Sequence, residues 1–242
     1  MSESSKYDIN EQTYRLTYNG LKILLNISPL DVNIHNLGDK AAGGSIFLFN
    51  HFTRFETFIP QYLLYGHSKV FCRSVADHQL FKEKRLGDYL RSVGAVPSNM
   101  ENMMDFMVDE INAGRKVVIF PEGGMIKDRK VRDTDGRLAI YKREGTFRRK
   151  PHTGAAVIAI KCKMLRDLYR MAMEKGDEFM MRHYGEQFPE AKTPDELQML
   201  TMEPVELVPA NITFYPMRRD ENILEKYVNQ FMGVKSKRVL RS

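Results

Sequence analysis

Two short runs, Ser45–Phe49 (SIFLF) and Lys116–Phe120 (KVVIF), constrain this chain more than anything else in it. Neither alternates with polar residues, as a strand with one wet face would. An unbroken apolar run of this length is expected of a strand covered on both faces. Helical periodicity fills the intervals. Phe55–Tyr65, Leu86–Val93 and Met100–Ala113 (with Asn99 as N-cap) read as helices, and Val70–Val75 as another strand. Thr153–Tyr184 reads as one long Met-rich helix or as two joined at Gly176. Thr193 caps a short helix, Val205–Tyr215 reads as a strand interrupted by Pro209, and Asp220 caps a last helix to about Met232. Asp31–Asn36 alternates like a short strand. Strands alternating with helices predict an α/β fold with a mostly parallel central sheet flanked by helices.

At 242 residues the chain fits one domain, 1–242, with a basic end at Lys235–Arg241 that reads as a solvated tail or the stub of a longer chain. Thr13–Ile27 reads as an amphipathic helix broken by Pro29. Its apolar face, Tyr14 to Leu25, either covers the core or rests among lipid headgroups with Arg15 and Lys22 towards phosphate. The net charge of +6, from 37 basic and 31 acidic residues, favours an anionic partner. The positive charges are scattered, Trp is absent and no nucleic-acid motif appears, so nucleic acid is not the expected partner. Two cysteines, Cys72 and Cys162, without C-x-x-C spacing predict neither a disulfide framework nor a zinc site. No apolar stretch approaches the roughly 18–20 residues that span a bilayer. The expected location is the cytoplasmic side of a membrane, at its surface.

The chemistry gathers at the ends of the two apolar runs. Asn50-His51-Phe52-Thr53-Arg54-Phe55-Glu56 follows the first directly. Catalytic groups in open α/β sheets collect beyond the carboxyl ends of strands. There His51 is placed to accept a proton from an attacking hydroxyl, with the Glu56 carboxylate holding its tautomer and stabilising the imidazolium. Residues five apart on a helix diverge, so His51 belongs in the loop and only Glu56 in the helix that follows. The spacing alone is not specific. Six histidines, with about one residue in eight acidic, yield roughly one such match by chance. His78 and Glu83 supply it, in a polar connection with no apolar strand before them.

The second run leads into Phe120-Pro121-Glu122-Gly123-Gly124. The glycines permit a tight turn and a close backbone approach, and free amides in such a turn bind phosphate or an oxyanion. Lys127, Arg129 and Lys130 follow with positive charge. The plainer alternative is a tight turn with an exposed Glu.

Together the two blocks resemble the glycerolipid acyltransferases, the 1-acylglycerol-3-phosphate acyltransferases and their relatives, over about residues 30–216. His51 and Glu56 fall on that family's His-x4-acid motif, where Asp is the usual acid. Phe120–Gly123 fall on its FPEG motif, associated with the glycerol phosphate acceptor. Gly94-Ala95-Val96 resembles the intervening motif. Gly154-Ala155-Ala156 and Val208-Pro209, leading into Tyr215-Pro216, resemble later segments. The chain also departs from the pattern. Pro97-Ser98-Asn99 stands where the family has an Arg, Gly124-Met125-Ile126 where it has Thr-Arg-Ser, and a helical insertion covers about 162–204.

The resemblance implies an O-acyltransferase of phospholipid metabolism, needing neither metal nor bound cofactor. It would use acyl-CoA or acyl-ACP as the thioester donor and a lysolipid or glycerol phosphate-like acceptor. His51 and Glu56 would be catalytic, with Pro121, Glu122, Gly123, Gly124 and Arg129 on the acceptor. With two of the family's phosphate contacts missing or moved, Arg148, Arg149 and Lys150 are further candidates for that charge. The alternative is a non-catalytic lipid-binding or scaffolding protein on the same fold. A serine hydrolase is not expected, since no G-x-S-x-G segment exists.

Overall fold

In a computed structural model, residues 7–27, 33–36, 38–51, 59–123, 140–141, 148–149 and 152–213 are described. The two apolar runs become neighbours. β1 (Ile46–Phe49) lies parallel to β4 (Lys116–Ile119), with Ile46 opposite Val117 and Leu48 opposite Ile119. β2 (Cys72–Ala76) pairs with the other side of β4, and β3 (Ala95–Pro97) with β2. β7 (Leu207–Ala210) closes the far side of β1, giving the all-parallel order β3-β2-β4-β1-β7. Pro209 is accommodated because β7 is an edge strand, where a missing N–H leaves no ladder bond unmade.

Alternate residues of the central strands feed opposite layers, which explains their unbroken apolar character. Ile46 and Val117 pack with Met107 and Ile111 of α5 (Met103–Asn112) and with Ile158 and Cys162 of α6 (Gly154–Lys175). Phe47, Phe49 and Val118 face the opposite layer, with Ala41 of α2 (Gly38–Gly43) and Leu64 of α3 (Ile59–Ser68). The chain runs from β1 through α3 to β2, through α4 (Lys84–Ser92) to β3, and back through α5 to β4. The connections after β1 and β4 therefore leave in opposite directions along the sheet. Such a switch point opens a crevice beyond the carboxyl ends of the strands.

α1 (Glu11–Ile27) lies against α3 and α4. Tyr14 is buried between Tyr65 and Phe71, with ring centroids 5.2 and 5.0 Å away, and Tyr18 stacks on Tyr62. The Tyr14 hydroxyl accepts the Cys72 amide at 3.3 Å. Tyr14 and Tyr18 of the expected apolar face thus cover protein. Leu16 of the same face does not: with Ile23 and Ile27 it forms a stripe that is 72%, 62% and 76% exposed.

The structure corrects some of these expectations and decides others. Asn33–Asn36 form no strand, since Asn36 turns into the left-handed region at φ 57°. Asn99 is not a helix cap: the Met100 amide donates to Pro97 in a turn, and α5 begins only at Met103. The Met-rich segment is two helices, α6 and α7 (Glu178–Gly185), parted at Gly176. Thr193 caps α8 (Pro194–Met202) as expected, in a reciprocal box with Glu196. α2, β3 and the antiparallel pair β5 (Ile140–Tyr141) and β6 (Arg148–Arg149) were not anticipated. Both cysteines are buried free thiols, and burial pushes Cys72 up to about 12 and Cys162 up to about 11. Among the described residues, no helix is long and apolar enough to cross a membrane. The helix expected from Asp220 and the basic end lie outside the described residues.

Candidate active site

His51 lies two residues past β1, and Glu122 three past β4. Leu48 stands opposite Ile119, so carrying the register three places further brings His51 opposite Glu122. There the His51 amide donates to Glu122 Oε2 at 2.6 Å. The His51 ring packs on Phe120, with centroids 4.8 Å apart and planes tilted by 43°. Both His51 and Glu122 are half-buried, beyond the carboxyl ends of their strands.

On the other side, Asn50 spans to the chain leaving β7. Its Nδ2 donates to the Ile212 carbonyl at 2.9 Å, and its Oδ1 accepts the Ile212 amide at 2.6 Å. Asn50 was not singled out in the sequence. The signal for it was its position between a buried strand and the histidine.

Past β4 the chain turns tightly. The Gly123 amide donates to Phe120, and Gly123 sits at φ 63°, where a side chain would be strained. The His152 amide donates to Pro121 at 2.7 Å, tying the start of α6 to the same turn. Thr153, before the first turn of α6, makes no side-chain capping bond. The positive end of a 22-residue helix is thereby brought beside Pro121 and Glu122.

Of the residues expected to act together, the structure therefore joins His51, Pro121, Glu122 and Gly123. Glu56, Gly124 and Arg129 lie outside the described residues, as do Tyr215-Pro216 and the side chains of Arg148, Arg149 and Lys150. Gly94-Ala95-Val96 is not part of this cluster: β2 separates β3 from β4. Gly94 is required by packing, since a Cβ there would meet the Cys72 carbonyl oxygen at 2.3 Å. Glu83 accepts the amides of Arg85 and Leu86 as the cap of α4, so the second His-x4-acid match serves a helix end. Among the described residues, no group of three or more His, Cys, Asp or Glu could hold a metal ion.

A family model described as Acyltransferase matches residues 31–174, more than half the chain. The chain belongs to the acyltransferase family. The matched stretch runs from ahead of β1 to the last turn of α6, so it contains His51, Glu122 and the turn between β4 and α6. Membership supports acyl transfer as the general chemistry of the chain. No curated protein and no solved structure matches the chain. In this acyltransferase, Ile212, the partner of Asn50, lies beyond the matched residues.

Proposed function

We propose that this acyltransferase moves an acyl group from the thioester of coenzyme A or acyl carrier protein to a hydroxyl of a glycerol phosphate- or lysophospholipid-like acceptor. The observation that carries the reading is His51 held just beyond the carboxyl end of β1, its main chain bound by the loop after the neighbouring strand. His51 takes the proton of the acceptor hydroxyl as its oxygen attacks the thioester carbonyl. The tetrahedral adduct collapses, the C–S bond breaks, and the thiolate leaves with the proton from the imidazolium. Glu56 orients the imidazole through this cycle. The Gly124 amide, the start of α6 and Arg129 supply donors and positive charge for the acceptor's anionic group.

The test is to incubate the pure chain with labelled acyl-CoA and a panel of glycerol 3-phosphate and lysophospholipids of different headgroups. Acylated product is expected with at least one anionic acceptor. Bound acyl-CoA with no product from any acceptor would favour the lipid-binding scaffold.

Lysophospholipid acceptors sit in a bilayer, and we propose that the Leu16, Ile23 and Ile27 stripe of α1 meets its surface, alongside the exposed Lys22. Liposomes containing anionic lipid are expected to float the protein, and Ile23→Asp to weaken that recovery severalfold. Equal recovery of both proteins would place the contact elsewhere.

A further inference from the structure

We infer that Glu122 is a positioning residue for the base, holding the His51 main chain, and is not the acceptor contact that its motif suggests; this rests on the acyl-transfer reading above. The argument begins where the sheet ends. The last pairings of β1 are Leu48 with Ile119 of β4 and Phe49 with Ala210 of β7. His51 lies beyond both pairings. Side chains continue the pattern on each flank. Asn50 gives the Ile212 backbone one donor and one acceptor, as a strand residue would. Glu122 accepts the His51 amide at 2.6 Å, a charge-assisted bond stronger than an amide–carbonyl pair.

Phe120 and Glu122 are alternate residues of one segment and serve the same histidine. The phenyl ring packs on the imidazole while the carboxylate holds its backbone. Anchoring of this kind matters for a general base, because a displacement of about 1 Å costs about 10²-fold in rate. A carboxylate oxygen committed to a main-chain amide is fixed by the fold before any acceptor arrives.

The two roles separate in kinetics. Glu122→Ala is expected to lower kcat about 10–100-fold while the KM for acceptor and for donor stay within about twofold. Glu122→Gln keeps an acceptor oxygen for the His51 amide and is expected to regain most of the lost kcat. An acceptor-binding Glu122 gives the reverse: acceptor KM rises, kcat holds, and Gln does no better than Ala.

The contact itself has a readout that needs no activity. With ¹⁵N-histidine labelling the chain's six histidines give the amide signals, and His51→Ala identifies its own by deletion. The His51 amide proton is expected downfield in wild type and in Glu122→Gln, and moved upfield in Glu122→Ala. The other five signals report the fold; if Glu122→Ala disturbs them, Glu122→Gln decides. An unmoved His51 signal in a folded Glu122→Ala protein overturns the contact, and a raised acceptor KM at unchanged kcat in either variant overturns the role. Wild-type protein inactive on every acceptor sinks the acyl-transfer reading instead, and the amide signal then judges the contact alone.

Discussion

His51→Ala is expected to lower the turnover of acyl transfer by about 10²–10⁴-fold, the range for loss of a general base, with thermal unfolding little changed. The substitution isolates the chemistry because of how the residue is held. Its anchor to the FPEG turn is the backbone amide on Glu122, which alanine keeps. What alanine removes is the imidazole over Phe120, half-buried at the end of a strand and outside the packed layers. Single-turnover transfer with saturating donor and acceptor measures the loss, and circular dichroism the fold. His78→Ala is the control, since its acid five residues on is already engaged at the start of α4. Turnover within about tenfold of wild type in His51→Ala would remove His51 as the base.

What could be read from the sequence follows how local each determinant is. β1 and β4 were legible because cover on both faces leaves an unbroken apolar run, a signal held within five residues. α8 was legible because Thr193, Pro194 and Glu196 are a start signal within one turn. β3 was not, since three residues show no period and only the neighbouring β2 makes them a strand. α2 is six residues that begin and end in glycine, held partly from outside: Lys116 donates to the carbonyls of Ala42 and Gly44 at 2.8 Å. At the site, the histidine and the FPEG turn were each visible in place. Their contact was not, because it depends on β1 and β4 lying side by side after the chain has reversed direction. The sequence assigned Glu122 to the acceptor from its motif, whereas the register brings it to the His51 backbone.

Arg73 is a still plainer case of a long-range partner. It was read only as one residue of the Val70–Val75 strand, yet it is 1% exposed and ion-paired to Glu110 of α5, 37 residues away. Its Nη1 donates to the Tyr7 carbonyl at 2.6 Å, and its guanidinium lies over Phe106, 5.2 Å from the ring centre. Glu110 is also bound by Arg115 at 2.8 Å. Glu110→Ala is therefore expected to destabilise the fold by about 3–5 kcal/mol, the cost of leaving a buried charge without its counter-ion. The loss falls on Arg73, because Arg115 is about a third exposed and can turn to water. The charge on Arg73 then keeps one carbonyl and one aromatic face, too little to replace the hydration it gave up. Removing both charges tests this attribution. Arg73→Met combined with Glu110→Leu is expected to recover much of the loss, since well-packed apolar replacements of a buried pair are often neutral. Urea unfolding of the two variants measures both values. A Glu110→Ala loss below about 1 kcal/mol, or a double variant no more stable than the single, would show that Arg73 draws its stabilisation from elsewhere.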